Sequence, residues 1–411
     1  MAGLQIEGNL DNISDKQLGY IKDVIEKRGF KDAKVVIEPV GQAGDNYVAN
    51  VKRIIIEEKD GSTLKMIAKV APNQEVLREM ANTKVCFRNE HLMYTKVLPK
   101  FEQVQRASDI PKEERLRYAA CYGSFEEAPH EVILLEDLKV SGFQMLDRFQ
   151  PLSDECVRSV LKNFARLHSF SYALKHKEPA VFDEFRDDLF DMWGSMNERD
   201  ETKMFFEQLV ANALLVLESD VHKKIVKDII TLTLTTYAKI LRADRESKHL
   251  IIQQGDAWTN NIMFKFEEGN LLESIMIDYQ VSKASNPVAD IQYMIFNCTD
   301  YKSRKEHFHD WIDYYHTELD KSLSSFGLKA NHVFPKDQLD ADLKRYGKIS
   351  LGLSIVLSSV LILKPEDAMK MKEAMESADM KEITKNTDIR RLGADSIALF
   401  ISREELNLKI K

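Results

Sequence analysis

Cysteine is scarce in this chain. Four stand in 411 residues (Cys86, Cys121, Cys156 and Cys298), far apart and without a CxxC pair. That spacing argues against a disulfide frame or a cysteine zinc site and reads as reduced thiols in a cytosolic setting. Positive charge is in deficit too. Lys and Arg number 58 against 66 Asp and Glu, for a net charge of −8, so nothing drives the chain in bulk toward nucleic acid or an anionic membrane. Long apolar runs are missing. The most apolar segment, Ile349 to Leu363, sits between Lys348 and Lys364. It falls short of the roughly 18 residues of a membrane span and reads as a buried helix. The opening MAGLQIEGNLDN has neither a basic region nor an apolar run, against a signal peptide, and its glycine at position 3 does not fit the myristoylation pattern. No internal repeat or low-complexity linker is present. Three motifs are also missing: the P-loop G-x-x-x-x-G-K-S/T, a full G-x-G-x-x-G, and the G-x-S-x-G of many hydrolases.

What is there is organised around Leu250 to Gln280, LIIQQGDAWTNNIMFKFEEGNLLESIMIDYQ. An apolar strand, Leu250 to Ile252, delivers Gly255 and Asp256 into a loop, and Asn261 follows five residues after Asp256. A polar turn, Glu267 to Asn270, leads to a second apolar strand, Ser274 to Ile277, which ends on Asp278. A hairpin of this kind puts Asn261 and Asp278 at the same end of two neighbouring strands, where one ion can bridge them. Mg²⁺ takes oxygen ligands, which suits an Asn amide and an Asp carboxylate. A surface hairpin whose polar residues only cap strands is the competing reading. It prevails for a lone D-x-x-x-x-N, but Asp278 and the upstream partners below weigh against it. The stretch resembles the catalytic loop and metal-binding aspartate of the protein-kinase-like phosphotransferases. That resemblance implies Asp256 facing an acceptor hydroxyl, with Asn261 and Asp278 holding Mg²⁺.

The composition, 44% apolar and 30% charged, is that of an ordinary globular protein, and the length exceeds one simple core. Asp15 to Arg28 has helical spacing. Ala33 to Val40, then YVANVKRIIIEEK and STLKMIAKV around an Asp60-Gly61 turn, predict an antiparallel meander. The turn GQAGDNY offers Gly41, Gly44, Asp45 and Asn46 as a place where backbone can approach an anion. Taken alone it reads more readily as structural. Lys69 ends the third strand and matches the kinase-like lysine that pairs with α/β-phosphates; an edge-strand lysine guarding against aggregation is the alternative. One long helix is expected from about Gln74 to Leu98. It carries Glu90, the best candidate to hold Lys69. Arg115 to Phe125 and Glu131 to Leu135 predict two more strands, the second running into LLEDL. A hinge there offers backbone groups of Glu136 and Leu138 to an adenine ring.

From Ser153 the texture is helical. Ser153 is the expected N-cap, Val157, Leu161, Phe164 and Leu167 form an apolar stripe, and His168 beside it reads as a satisfied core histidine. Helices are also expected over Glu201 to Glu218, Val221 to Arg242, Lys302 to Leu323, Asp340 to Leu363, Pro365 to Ala378 and Asp388 to Glu405. Asp290, in PVADIQY, either braces the catalytic loop or serves as a helix-start carboxylate. His307, His309 and His316 lack the partners of a zinc site.

GDNY, IAKV, Glu90, LLEDL, QGDAWTNNIMFK, IDYQ and NPVADIQY together resemble the insect ecdysteroid-kinase-like family, also called CHK-kinase-like proteins, kin to aminoglycoside and choline phosphotransferases. The resemblance spans about Gly41 to Tyr315. It implies an α+β, bilobal protein-kinase-like fold: a small antiparallel-sheet lobe over 1–137 and a large, mostly helical lobe over 138–411. It further implies ATP- and Mg²⁺-dependent phosphorylation of a small-molecule hydroxyl, with ecdysteroids and plant or xenobiotic alcohols as the substrate classes; the charge and the short apolar runs set out above leave neither nucleic acid nor membrane as an expected partner. One position departs from the family pattern. Where H-G-D is usual, this chain has Gln254. Glutamine both donates and accepts hydrogen bonds, so it can brace the loop in place of histidine. The departure keeps a second reading open, a weak or dead kinase scaffold that binds a lipophilic molecule. A protein kinase is disfavoured because D-F-G and A-P-E are missing.

Overall fold

The computed structural model describes residues 3–41, 48–192, 219–361 and 365–366, together with 207, 210, 211 and 214. The expected phosphate-side residues Gly44, Asp45 and Asn46 lie outside the described residues, as do most of 201–218 and the helices expected beyond residue 366.

The N-terminal half is built on one six-stranded sheet in the order β1-β2-β3-β4-β6-β5. The strands are β1 (Gln5–Gly8), β2 (Ala33–Pro39), β3 (Asn50–Glu58), β4 (Thr63–Val70), β5 (Cys121–Phe125) and β6 (Val132–Glu136). All pairings are antiparallel except β1 with β2. Period-2 alternation decides which face is which. Val35, Ile37, Ile54, Ile56, Met66, Ala68, Val70, Val132 and Leu134 form one buried layer beneath α1 (Asp15–Lys27), which contributes Ile21, Val24 and Ile25. Helix α1 starts on a capping box between Ser14 and Gln17. Lys69 and Ile133 pair across the opposite face. That face looks toward the helices that follow.

The long helix expected over Gln74 to Leu98 is interrupted. α2 (Glu75–Met80) stops at Asn82, which adopts a left-handed φ of 48°, and α3 (Thr83–Leu92) begins there. Asn is among the few residues that visit this region at low cost. The chain then widens into a π turn over Met93–Val97, where Leu98 N–H donates to Met93 O, before α4 (Leu98–Ala107). Pro99 has no N–H to offer the preceding turn, which accounts for the wider spacing.

The C-terminal half is mostly helical. α5 (Asp154–Lys177) is its central post, N-capped by Ser153, with Val157, Leu161, Phe164 and Leu167 all fully buried. Against it pack α6 (Pro179–Asp188), α8 (Pro287–Cys298) and α9 (Tyr301–Ser324), while α7 (Asp220–Asp244) and α11 (Lys336–Leu361) pair with each other beyond the short α10 (Ala330–Val333). The apolar segment falls in α11 as far as Leu361, and its described side chains are mostly buried. No described helix is long and apolar enough to cross a membrane. Two small sheets interrupt the helices. One runs β10-β9-β7, with β7 (Phe143–Met145), β9 (Ile262–Glu267) and β10 (Asn270–Met276). The other pairs β8 (Ile251–Ile252) with β11 (Ala284–Ser285). The β9–β10 hairpin turns through Glu268 and Gly269, both at positive φ, which is the two-residue turn that matches strand twist.

Helix α5 fixes these pieces through its buried polar residues. Asn163 Nδ2 donates to Ser274 O (2.8 Å) in β10, Ser171 Oγ accepts from Ile252 N (2.8 Å) in β8, and His168 Nε2 lies 3.1 Å from Asp290 in α8. His168 is fully buried, with its Nδ1 2.9 Å from the Tyr315 hydroxyl. It is a satisfied core histidine. The overall arrangement is the bilobal kinase-like fold: a small, sheet-based lobe beside a larger helical one.

Candidate active site

The loop that carries Asp256 is held by backbone geometry first. Gly255 has φ +91°, and a Cβ there would stand 2.6 Å from Val281 O. Only glycine meets both conditions. Asp290, in the first turn of α8 and 1% exposed, then takes both preceding amides: Oδ2 accepts from Gln254 N (2.9 Å) and Oδ1 from Gly255 N (2.8 Å). Both readings of Asp290 hold: it is a first-turn carboxylate of α8, and it braces the loop.

Gln254 sits where the resemblance leads one to expect histidine, and its amide works in both directions. Nε2 donates to the carbonyls of Ile277 and Asp278, each at 2.9 Å. Oε1 accepts from Asp256 N at 2.6 Å. One buried side chain thus ties the two aspartate-bearing segments together. A neutral imidazole, with one donor and one acceptor, has a smaller repertoire.

Asp256 itself is gripped at both oxygens. Oδ1 accepts from the Tyr293 hydroxyl (2.6 Å) and Oδ2 from Asn261 Nδ2 (3.0 Å), which also reaches Asp256 O (2.9 Å). Burial pushes the Asp256 carboxyl up to about 7, against the pull of these two hydrogen bonds; the nearby Asp278 charge adds to the rise and Lys69 opposes it. Tyr293 carried no sequence signal of its own. The one available clue was helical spacing: three residues after Asp290, it lies on the same face of α8, one turn further along.

On the facing side, Lys69 Nζ donates to Glu90 Oε2 and to Asp278 Oδ1, the latter at 2.7 Å. The side chains of Lys69 and Glu90 are 9% and 2% exposed, that of Asp278 21%. Burial works against the Lys69 charge, but the two carboxylates outweigh it and its pKa is raised. Glu90 is pushed upward by burial while Lys69 pulls it down. Asp278 follows β10 at φ +61°, a left-handed turn that aspartate tolerates better than most residues. Ile277 N donates to Asn261 O (2.9 Å), so the hairpin brings Asn261 beside Asp278.

The remaining described candidates are Gly41, Glu136 and Leu138. Gly41 is exposed at φ +87°, at the edge of the described segment. Glu136 belongs to β6, and its N–H already donates to Ala120 O at 2.8 Å. Leu138 is buried, and its carbonyl accepts from Ser141 N and Phe143 N, both at 3.1 Å.

The donor set suits a magnesium ion that arrives with phosphates. Among the described residues, the Asn261 amide oxygen and one Asp278 oxygen take part in no hydrogen bond or ion pair. Both are hard oxygen donors, and Mg²⁺ commonly takes one or two protein ligands beside phosphate oxygens and water. Among the described residues no three His, Cys, Asp or Glu are grouped to hold a metal ion.

Comparison with known proteins adds the family. Residues 43–328 match the ecdysteroid kinase-like family, which is most of the chain and includes every residue of the cluster above. The chain belongs to the ecdysteroid kinase-like family. No curated protein matches this ecdysteroid kinase-like chain significantly. Among solved structures it is similar to a Plasmodium vivax ethanolamine kinase, at 14% identity and a TM-score of 0.40, covering 85% of this chain and 90% of that one. It is also similar to the wild-type aminoglycoside 2'-phosphotransferase-IIIa in its GDP complex, at 10% identity and a TM-score of 0.41, covering 93% and 99%.

Proposed function

We propose that this ecdysteroid kinase-like chain transfers a phosphoryl group from ATP to the hydroxyl of a small molecule, an ecdysteroid or a plant or xenobiotic alcohol. The observation that carries the reading is the buried Lys69, bonded at once to Glu90 and Asp278, within the electrostatic reach of Asp256. A lysine held between two carboxylates presents its charge to phosphate oxygens in one fixed place. Asp256 Oδ1 and Oδ2, oriented by Tyr293 and Asn261, face the acceptor hydroxyl and take its proton as the new O–P bond forms and ADP leaves. Asn261 and Asp278 hold magnesium, which when bound neutralises charge on the transferred group. The boundary between the nucleotide-side lobe (1–137) and the acceptor-side lobe (138–411) falls in the LLEDL segment. Four cysteines outside any disulfide support a reducing compartment such as the cytoplasm.

A second reading, a carrier of a lipophilic molecule on an inactive kinase scaffold, is motivated by Gln254. The three hydrogen bonds of Gln254 weigh against it, because the loop is braced as a working loop requires. Thermal-shift titration separates the two. Magnesium-dependent stabilisation by ATP is the expected outcome; stabilisation by a steroid with no nucleotide response favours the carrier.

A further inference from the structure

Asn89 immediately precedes Glu90 on α3 and is fully buried. Its side chain is a three-way tie. Nδ2 donates to Phe190 O (2.8 Å) and to Gln280 O (3.3 Å), and Oδ1 accepts from Phe190 N (2.9 Å). Phe190 lies just past α6, and Gln280 is two residues beyond Asp278. Neighbouring contacts join the same three pieces of chain. Asp191 pairs with Lys283, a lysine 3% exposed, whose carbonyl accepts from Gln253 N at 3.0 Å. Cys86 Sγ, one turn before Asn89 on α3, lies 3.2 Å from Met192 Sδ. The three residues 190–192 therefore touch α3 and the stretch that follows Asp278 together.

A helix that supplies one paired glutamate must hold its rotation about its own axis. Each residue advances the helix by about 100°, so a small twist carries Glu90 away from Lys69. Apolar packing alone tolerates such slips. A buried amide matched at both ends does not, because displacement strands several backbone groups without partners.

We infer that residues 190–192 form a clasp which, through Asn89, sets α3 in the rotation that pairs Glu90 with Lys69, making Asn89 a positioning residue for phosphoryl transfer. The kinetic half of this inference rests on the proposed function; the structural half does not.

The test is a double-mutant cycle with a structural arm. Asn89→Ala is expected to lower kcat/KM for ATP by about tenfold in the wild-type background and by less than about twofold in Glu90→Ala. Equal losses in both backgrounds overturn the positioning role, since a merely structural residue acts whether or not Glu90 is present. Hydrogen exchange forms the second arm. Asn89→Ala should speed exchange both in α3 and around Gln280, and unchanged protection at either place overturns the clasp. If Asn89→Ala does not fold, Asp191→Asn carries the same two arms, with smaller changes of the same sign. Should the wild-type chain transfer no phosphate to any acceptor, the functional reading falls and the exchange arm alone decides the clasp.

Discussion

Replacing Asp256 by Asn should abolish transfer and at the same time stabilise the metal-free protein at alkaline pH. The carboxyl is half-buried, and desolvation holds its pKa near 7 against an ordinary 3.8. The native state therefore keeps a proton that the unfolded chain has already released. The stability tied to that proton is complete below 3.8 and is lost as pH rises through about 7. At about 1.4 kcal/mol per pH unit, the buried charge costs the native state up to roughly 4 kcal/mol above pH 7. Asparagine never carries it. The substitution has a cost of its own, because an amide cannot accept from both the Tyr293 hydroxyl and Asn261 Nδ2. One hydrogen bond is worth about 1 kcal/mol, and it is missing at every pH. The informative quantity is thus the difference between two pH values. Near pH 4, where the unfolded chain also keeps most of that proton, the variant should melt at or slightly below wild type. Near pH 8 it should melt on the order of 2–4 °C above it, for a chain of this size. Differential scanning fluorimetry in the presence of a chelator reads both. A gap between wild type and variant that does not change with pH refutes the burial argument, because then Asp256 is not held in a desolvated site.

Further outcomes follow from the same contacts. Gln254→Ala removes three hydrogen bonds that join the Asp256 loop to Asp278, and turnover should fall at least about tenfold in a transfer assay; unchanged turnover removes the bracing role. Gly255→Ala forces a Cβ to 2.6 Å from Val281 O at φ +91°, so the variant should lose roughly 1–3 kcal/mol of stability along with activity, and a normal melting temperature contradicts it. Tyr293→Phe deletes the hydroxyl on Asp256 Oδ1 and should lower kcat by about tenfold while leaving KM for ATP unchanged. A raised KM for ATP with normal kcat places Tyr293 elsewhere in the mechanism.

The parts of the fold legible in the sequence are those written in short-range patterns. The meander of β2, β3 and β4 showed in alternating Val and Ile, α5 in its Ser153 cap and 3.6-residue stripe, and the β9–β10 hairpin in its polar turn. Strand β1 was invisible because it is four residues long and mostly exposed, so it carries no alternation. The break at Asn82 and the π turn before Pro99 were hidden because an apolar stripe reads the same across a kink as along a straight helix. In the site, Lys69, Glu90, Asp256, Asn261 and Asp278 could be named because their types and spacing resemble the kinase-like pattern. Tyr293 and Asn89 could not. Each acts through a bond to a residue at least 37 positions away, and nothing in the local sequence distinguishes a tyrosine or asparagine on a helix face that makes such a bond from one that does not. Glu136 shows the converse limit: the sequence marks a strand running into LLEDL but not that the Glu136 amide is already engaged by Ala120 O.

The most direct measurement is ATP-dependent mass gain of one phosphate on a panel of hydroxylated steroids and plant alcohols, with wild type and Asp256→Asn side by side and magnesium present or chelated. The account predicts phosphorylation of at least one acceptor by wild type, lost on chelation and reduced by several orders of magnitude in the variant. Transfer that survives in Asp256→Asn at near wild-type rate, or no transfer to any acceptor from a protein that ATP and magnesium fail to stabilise, contradicts it.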